Sequence, residues 1–248
     1  MPEQVDLLLH ARWVIPVVPE NQLFEHHTLA VKDGRIHAIV PTAEAAEAFV
    51  AGMEKHLPQH ALIPGLINSH THASMSLLRG LADDLPLMTW LNEHIWPAEG
   101  RWVSEDFIHD GSQLAFAEML LGGTTCFNDM YFFPDVTGRA ADAAGIRAVL
   151  GLIAIDFPSV WAADGDEYLH KGLQVHDQFR NNPLIHTAFA PHAPYSVADP
   201  VLERIRVLAD ELEIPVHIHL HETNDEIVHS LQHHEGRPMA RLQRLGLL

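Results

Sequence analysis

The chain has 248 residues, 47% of them hydrophobic and 19% charged, an ordinary globular balance that can bury a sizeable core. With 33 acidic against 15 basic residues, the formal charge is -18 with histidine neutral, which argues against nucleic acid and anionic membranes as partners and reads first as a solubility device. One cysteine, Cys126, excludes an intramolecular disulfide and fits a reducing, cytoplasmic setting.

The apolar stretch from Leu7 to Pro16 is broken by His10, Arg12 and Pro16 and lacks a basic start, so it does not read as a targeting signal. No run reaches the roughly 18 apolar residues of a membrane helix. Residues 1–60 are predicted to be β-rich, with strands at Val5–Leu9, Trp13–Val18, Thr28–Lys32 and Arg35–Val40. Lys32-Asp33-Gly34-Arg35 is expected to be a hairpin turn, with Gly at the position that tolerates positive φ. The Ala- and Glu-rich run Ala43–Met53 is expected to be helical.

From Ala61 onward the pattern changes to strand-then-helix units. Strands are expected at Ala61–Ile67, Thr124–Asn128, Ile146–Ile153, Ile185–Ala190 and Val216–Leu220. Helices are expected at Met88–Ile95, Ser104–Leu121, Val136–Ala144, Asp166–Arg180, Pro200–Leu212, Asn224–Leu231 and Met239–Leu245. Repeated βα units with apolar strands call for a parallel sheet covered by helices. About five units fit after residue 60, whereas a closed barrel takes eight in about 250 residues. The sequence therefore reads as the front part of a longer protein.

The chemistry-bearing residues lie at strand ends. Asn68-Ser69-His70-Thr71-His72 closes an apolar run; residues two apart on a strand share a face at a spacing of roughly 6.6 Å, so both imidazoles can reach one ion at about 2.0–2.1 Å. Pro215–Glu222 repeats the pattern, with His217, His219 and His221 on one face and Ile218 and Leu220 on the other. Spacing does not choose which of these three histidines supplies a third ligand. A catalytic zinc holds about three protein ligands and leaves a position for a water of lowered pKa. Glu222, beside such a water, is placed to shuttle protons. Ile185–His192 offers no lysine to bridge two metals and Lys171 falls on the preceding helix, so one metal is expected. The other histidines, His229, His233 and His234 with His26, His27, His56 and His60, read as solvated faces.

These segments resemble the amidohydrolase superfamily, in its deaminase and chlorohydrolase branch. The resemblance covers nearly the whole chain and is carried by Leu62–His72, Leu77–Gly80, Gly122–Thr125, Ala190–Ser196 and His219–Thr223. Within the branch the chain looks most like the 5-methylthioadenosine/S-adenosylhomocysteine deaminases. That resemblance implies an α/β fold, a (β/α)8 TIM-type barrel spanning residues 61–248 and incomplete at the C-terminus, with residues 1–60 as the N-terminal half of a small β-sandwich. It also implies a zinc site on His70, His72 and His219, since the family's ligand lies three residues before the Glu. Glu222 maps onto the proton shuttle, Glu99 onto the carboxylate that binds ribose hydroxyls, and His192 onto a substrate-contacting histidine. A further family His on the sixth strand and Asp on the eighth would lie beyond residue 248.

The implied activity is hydrolytic deamination of the adenine of 5′-methylthioadenosine, extending to S-adenosylhomocysteine or adenosine, by a cytoplasmic homo-oligomer whose partner is a small nucleoside. The apolar second half of Arg147–Ile153, where some members carry arginine, favours the methylthio substrate. Iron or manganese also suits the donor set. Rival readings are a guanine or cytosine deaminase or a triazine chlorohydrolase on the same scaffold, and a non-catalytic fragment.

Overall fold

The computed structural model describes residues 1–234 and 236–248. The chain divides into two compact units, Met1–Gly65 and Leu66–Leu248. The division falls a few residues after the boundary expected at residue 60.

The first unit is a four-stranded sheet of order β3-β2-β1-β4, formed by β1 (Glu3–Val14), β2 (Phe24–Lys32), β3 (Arg35–Pro41) and β4 (Phe49–Leu62), with α1 (Thr42–Ala48) between the last two. The expected hairpin joins β2 to β3: Asp33 (φ 52°) and Gly34 (φ 70°) both take positive φ, as a tight turn of this hand requires. β1 pairs antiparallel with β2 and parallel with β4. A parallel partner needs a crossover, and α1 supplies it. Val5, Leu8, Ala30 and Phe49 form a small core.

Two expectations fail in this unit. Val5–Leu9 and the first two residues of Trp13–Val18 belong to one strand, with a register shift between Ala11 and Trp13, and Ile15–Val18 lies outside it. The polar interruption at His10 is absorbed because its ring bonds across to Thr28. The helix expected over Ala43–Met53 stops at Ala48, and Phe49–Leu62 forms a strand. Burial of Phe49 in the sheet core overrides local helix propensity. β4 lies at the sheet margin, where Pro58 is tolerated.

In the second unit four parallel strands, β5 (Leu66–Thr71), β6 (Thr124–Asp129), β7 (Arg147–Ala154) and β8 (Ile185–Pro191), pair in sequence order. The strand expected over Ala61–Ile67 is split: Ala61 and Leu62 end β4, and Leu66 and Ile67 begin β5. Pro64, which lacks an amide hydrogen, and Gly65 separate them. Val216–Leu220 makes a single bridge, Val216 to Phe189, rather than a full strand. It still runs extended beside β8, with Phe189 N donating to Pro215 O (2.9 Å) and His217 N to Phe189 O (2.8 Å).

Helices α4 (Glu105–Leu121), α5 (Pro134–Ala144), α6 (Gly165–Phe179) and α7 (Asp199–Leu212) alternate with these strands, and α8 (Asn224–His233) and α9 (Pro238–Arg244) follow. Ser104, Asp164 and Thr223 cap α4, α6 and α8 by accepting from the amide three residues on. A short 3₁₀ turn, Ala73–Leu78, leaves β5 directly after His72. It sits so close to α4 that a Cβ on Gly111 would meet Ser74 O at 2.4 Å. Phe127, Leu150 and Phe189 are fully buried in the main core. A continuous helical stretch, α2 (Leu87–Trp90), a π turn (Leu91–Ile95) and α3 (Trp96–Trp102), crosses between the first two strands.

The sheet curls. A flat sheet would hold β5 and the segment after β8 roughly 19 Å apart, yet the rings of His70 and His219 stand 4.8 Å apart, centroid to centroid. The unit is thus an open arc of a (β/α) barrel, with its two margins folded toward each other. Among the described residues no helix is long and apolar enough to cross a membrane.

Candidate metal centre

His70 and His72 leave the C-terminal end of β5, and His219 leaves the corresponding end of the segment beside β8, the end where sites on such sheets gather. One ligand nitrogen from each lies within 4.8 Å of the others, and the Nε2 atoms of His70 and His219 are 3.2 Å apart. Two ligands about 2.0–2.1 Å from one tetrahedral ion stand about 3.4 Å apart, so this spacing suits a shared cation.

The other nitrogen of each ring is already engaged. His72 Nδ1 donates to Met130 O at 2.5 Å, and His219 Nδ1 donates to His192 O at 2.8 Å. His70 Nδ1 lies 2.7 Å from His217 Nε2. The two carbonyls fix His72 and His219 with Nε2 as the free lone pair, the supporting shell that metal-binding histidines use, and His217 holds the orientation of the His70 ring. Burial and neighbouring imidazoles push His70 down to about 4, and burial lowers His72 too, so both are neutral donors at pH 7. The residues present fit a divalent cation of the zinc class.

The three histidines at positions 217, 219 and 221 have different fates. His219 joins the cluster, and His217 stands behind His70. His221 departs from the expected shared face, because its backbone turns to φ 59°. Its ring is exposed, and its Nε2 accepts from Met239 N at 3.4 Å.

The turn at His221 presents Glu222 to the pocket. Buried Glu226 accepts from the amides of His221 (3.0 Å) and Glu222 (2.7 Å), an extended form of the capping box that starts α8. Tyr195 OH donates to Glu222 Oε2 at 3.4 Å.

A cavity of about 540 Å³ opens beside these groups, within the range of small-molecule sites. His70, His72, His219, Glu222, His192 and Glu99 all line it. His192 Nδ1 donates to Ser196 Oγ (2.8 Å), which itself donates to Ala193 O, so the Nε2 of His192 is an acceptor; burial pushes this ring down to about 3. Glu99 is buried on α3, and Tyr131 OH donates to its Oε1 at 2.6 Å. Burial pushes Glu99 up to about 7, against the lowering effect of that hydrogen bond. The remaining wall is apolar, with Trp90, Ile95, Trp96, Ile153 and Phe157 prominent.

Sequence reasoning misses Asp129, Met130 and Tyr131. Their position at the C-terminal end of a barrel strand is the signal that could have found them. Asp129 is buried and pushed up to about 7 by desolvation, and its Oδ1 accepts from Ala73 N at 2.7 Å, which holds the backbone after His72. The aromatic wall is also missed, since nothing local marks it, and Ser196 lies in a marked segment without a role assigned to it.

A match to the amidohydrolase family covers residues 61–248. The 5-methylthioadenosine/S-adenosylhomocysteine deaminase of Saccharophagus degradans is 53% identical over 98% of this chain and 54% of its own length. A zinc-bound adenosine deaminase from Xanthomonas campestris superposes with a TM-score of 0.98 at 51% identity, over 100% of this chain and 56% of that one. A mutant atrazine chlorohydrolase from Arthrobacter aurescens, complexed with zinc and atraton, superposes with a TM-score of 0.85 over 97% of this chain and 58% of that one, and at 19% identity speaks for the fold alone. The chain spans about half the length of the relatives it matches.

Proposed function

Because the chain belongs to the amidohydrolase family, we propose that it carries the metal centre and substrate pocket of a hydrolytic deaminase that converts the adenine ring of 5′-methylthioadenosine to hypoxanthine with release of ammonia. The observation that carries this reading is the convergence of His70, His72 and His219 beside a pocket that also holds Glu222 and Glu99. Those three histidines would hold a zinc ion, which supplies Lewis acidity and makes a water reactive near neutral pH.

Glu222 is the proton carrier in this reading. Its carboxylate takes one proton from the attacking water and delivers it to a ring nitrogen; C6 gains the oxygen, the remaining hydroxyl proton passes to the amino group, and the C6–N bond breaks to release ammonia. The tether from Glu226 and the Tyr195 hydroxyl support a fixed position for Glu222. His192, held as an acceptor at Nε2, can receive a hydrogen bond from the substrate. Glu99 has carboxylate lone pairs for two adjacent sugar hydroxyls, which supports a nucleoside over a free base. Trp90, Trp96 and Phe157 offer flat apolar surface for the base and the methylthio tail. No Lys or Arg lines the pocket among the described residues, and its apolar wall suits methylthio better than a homocysteine carboxylate.

Glu222→Gln tests the reading. Ammonia release from 5′-methylthioadenosine should fall by about 10²–10⁴-fold, while bound zinc is unchanged. Undiminished turnover would remove Glu222 from the reaction. Loss of zinc together with activity would make it a structural residue instead.

A further inference from the structure

A second group of metal-competent side chains lies wholly within the first unit. On the sheet formed by β2, β1 and β4, two successive rungs share one face. Leu8 pairs with Ala30 on one side and Glu54 on the other, and His10 pairs with Thr28 and with His56. His10, Glu54 and His56 therefore project together, and one ligand atom from each lies within 4.8 Å of the others. The two imidazoles stack at 4.5 Å with their planes 12° apart.

The hydrogen bonding around His10 carries the argument. Thr28 is fully buried, and its hydroxyl donates to Thr42 Oγ1 at 3.1 Å. With that proton committed, Thr28 Oγ1 accepts from His10 Nδ1, 2.8 Å away. His10 Nε2 then presents a lone pair toward Glu54 Oε2 at 3.3 Å. With Nε2 unprotonated, two acceptors face each other, and a cation between them, a metal ion or a proton, relieves that opposition. Their separation is close to the roughly 3.4 Å between two ligands of one tetrahedral zinc. The buried threonine plays toward His10 the part that Met130 O plays toward His72: it orients the ring and leaves the outer nitrogen free. His56, exposed on the marginal strand, can tilt to bring a third donor.

We propose that His10, Glu54 and His56 bind a zinc-class dication, which clips β1 to β4 across a parallel pair whose strands are far apart in sequence. This site shares no residue with the centre at His70, His72 and His219.

Equilibrium dialysis against zinc ion alone tests it, comparing the chain with its His10→Ala/His56→Ala double variant and with His56→Asn. The unsubstituted chain should take up one zinc equivalent more than the double variant, and His56→Asn should weaken that equivalent at least tenfold. Because the result is a difference, it stands whether or not the other centre fills. Failure of the deaminase reading leaves the one-equivalent gap intact, and failure of this proposal closes it. If the double variant loses its β-sheet circular dichroism, the exposed His56→Asn substitution alone decides. Equal uptake and equal affinity in all three chains would mean that a proton, not a metal, lies between His10 and Glu54, and would overturn the proposal.

Discussion

His217 is the residue whose position says most about design at the level of single side chains. It contacts no substrate surface in the pocket, and its Nε2 sits 2.7 Å behind His70 Nδ1. Such partners typically contribute 10–100-fold to metal affinity. His217→Ala should weaken zinc binding by that factor in competition with a chelating dye, and an unchanged affinity would strip His217 of this role. Glu99 poses a different problem, a buried acid with one neutral donor. Its folded-state value of about 7 lies above the ordinary 4.5. Between those two values the folded chain retains a proton that the unfolded chain has lost, so this group's contribution to stability declines as pH rises through the window. Glu99→Gln keeps an acceptor for Tyr131 and removes the charge. The variant should match the parent at pH 4 and exceed it by about 3 kcal/mol at pH 8 in urea unfolding. If Glu99 also binds sugar hydroxyls, the same variant raises KM for the nucleoside. Equal stability at both pH values would show that Glu99 is not desolvated.

Among the secondary-structure elements, the start of α8 has the most direct link to chemistry. The chain leaves the extended segment at His219, flips at His221 and enters a helix at Asn224. Three backbone donors in this bend are met by two side chains: Thr223 accepts from Glu226 N, and Glu226 accepts from His221 N and Glu222 N. Glu226→Ala leaves the latter two without these partners, each such loss costing about 1–3 kcal/mol where water cannot substitute. The expected outcome is a fall in kcat with zinc content and KM retained, because only the carboxylate of Glu222 loses its position. A variant with full kcat would show that the bend holds itself.

For the molecule as a whole, the consequence lies in the curl of the second unit. Its candidate ligands come from β5 at one margin of the sheet and from the segment after β8 at the other. A bound ion therefore ties the two ends of an open arc, and acts as a long-range cross-link as well as a reagent. At a free concentration about 100 times Kd, binding adds about 2.7 kcal/mol, roughly 5–10 °C in Tm for a unit of this size. Chelation should lower Tm by that amount when followed by tryptophan emission, since Trp90, Trp96, Trp102 and Trp161 all lie in this unit. In the His10→Ala/His56→Ala background, His219→Ala should abolish the zinc-dependent shift. A shift of equal size in that variant would place the stabilising ion elsewhere.

Much of the element order is legible in the chain. Strands at 124, 147 and 185 are short runs rich in β-branched and apolar residues, and helices α4, α6 and α8 carry their own start signals at Ser104, Asp164 and Thr223. Two His-x-His pairs at strand ends are visible because alternation alone puts them on one face. Other features depend on partners that no local pattern names. β4 reads as helix followed by loop because it is polar on both faces and marginal in its sheet, so only pairing with β1 makes it a strand. The exclusion of His221 rests on a backbone flip at one residue, and His217 falls behind His70. Glu99 meets Tyr131 from 32 positions away, across a helix and a strand. Local composition and period determine which segments become strands and helices, since those depend on neighbours a few residues apart. Tertiary structure alone decides which histidines converge, because that follows from the twist and curl summed over the whole sheet.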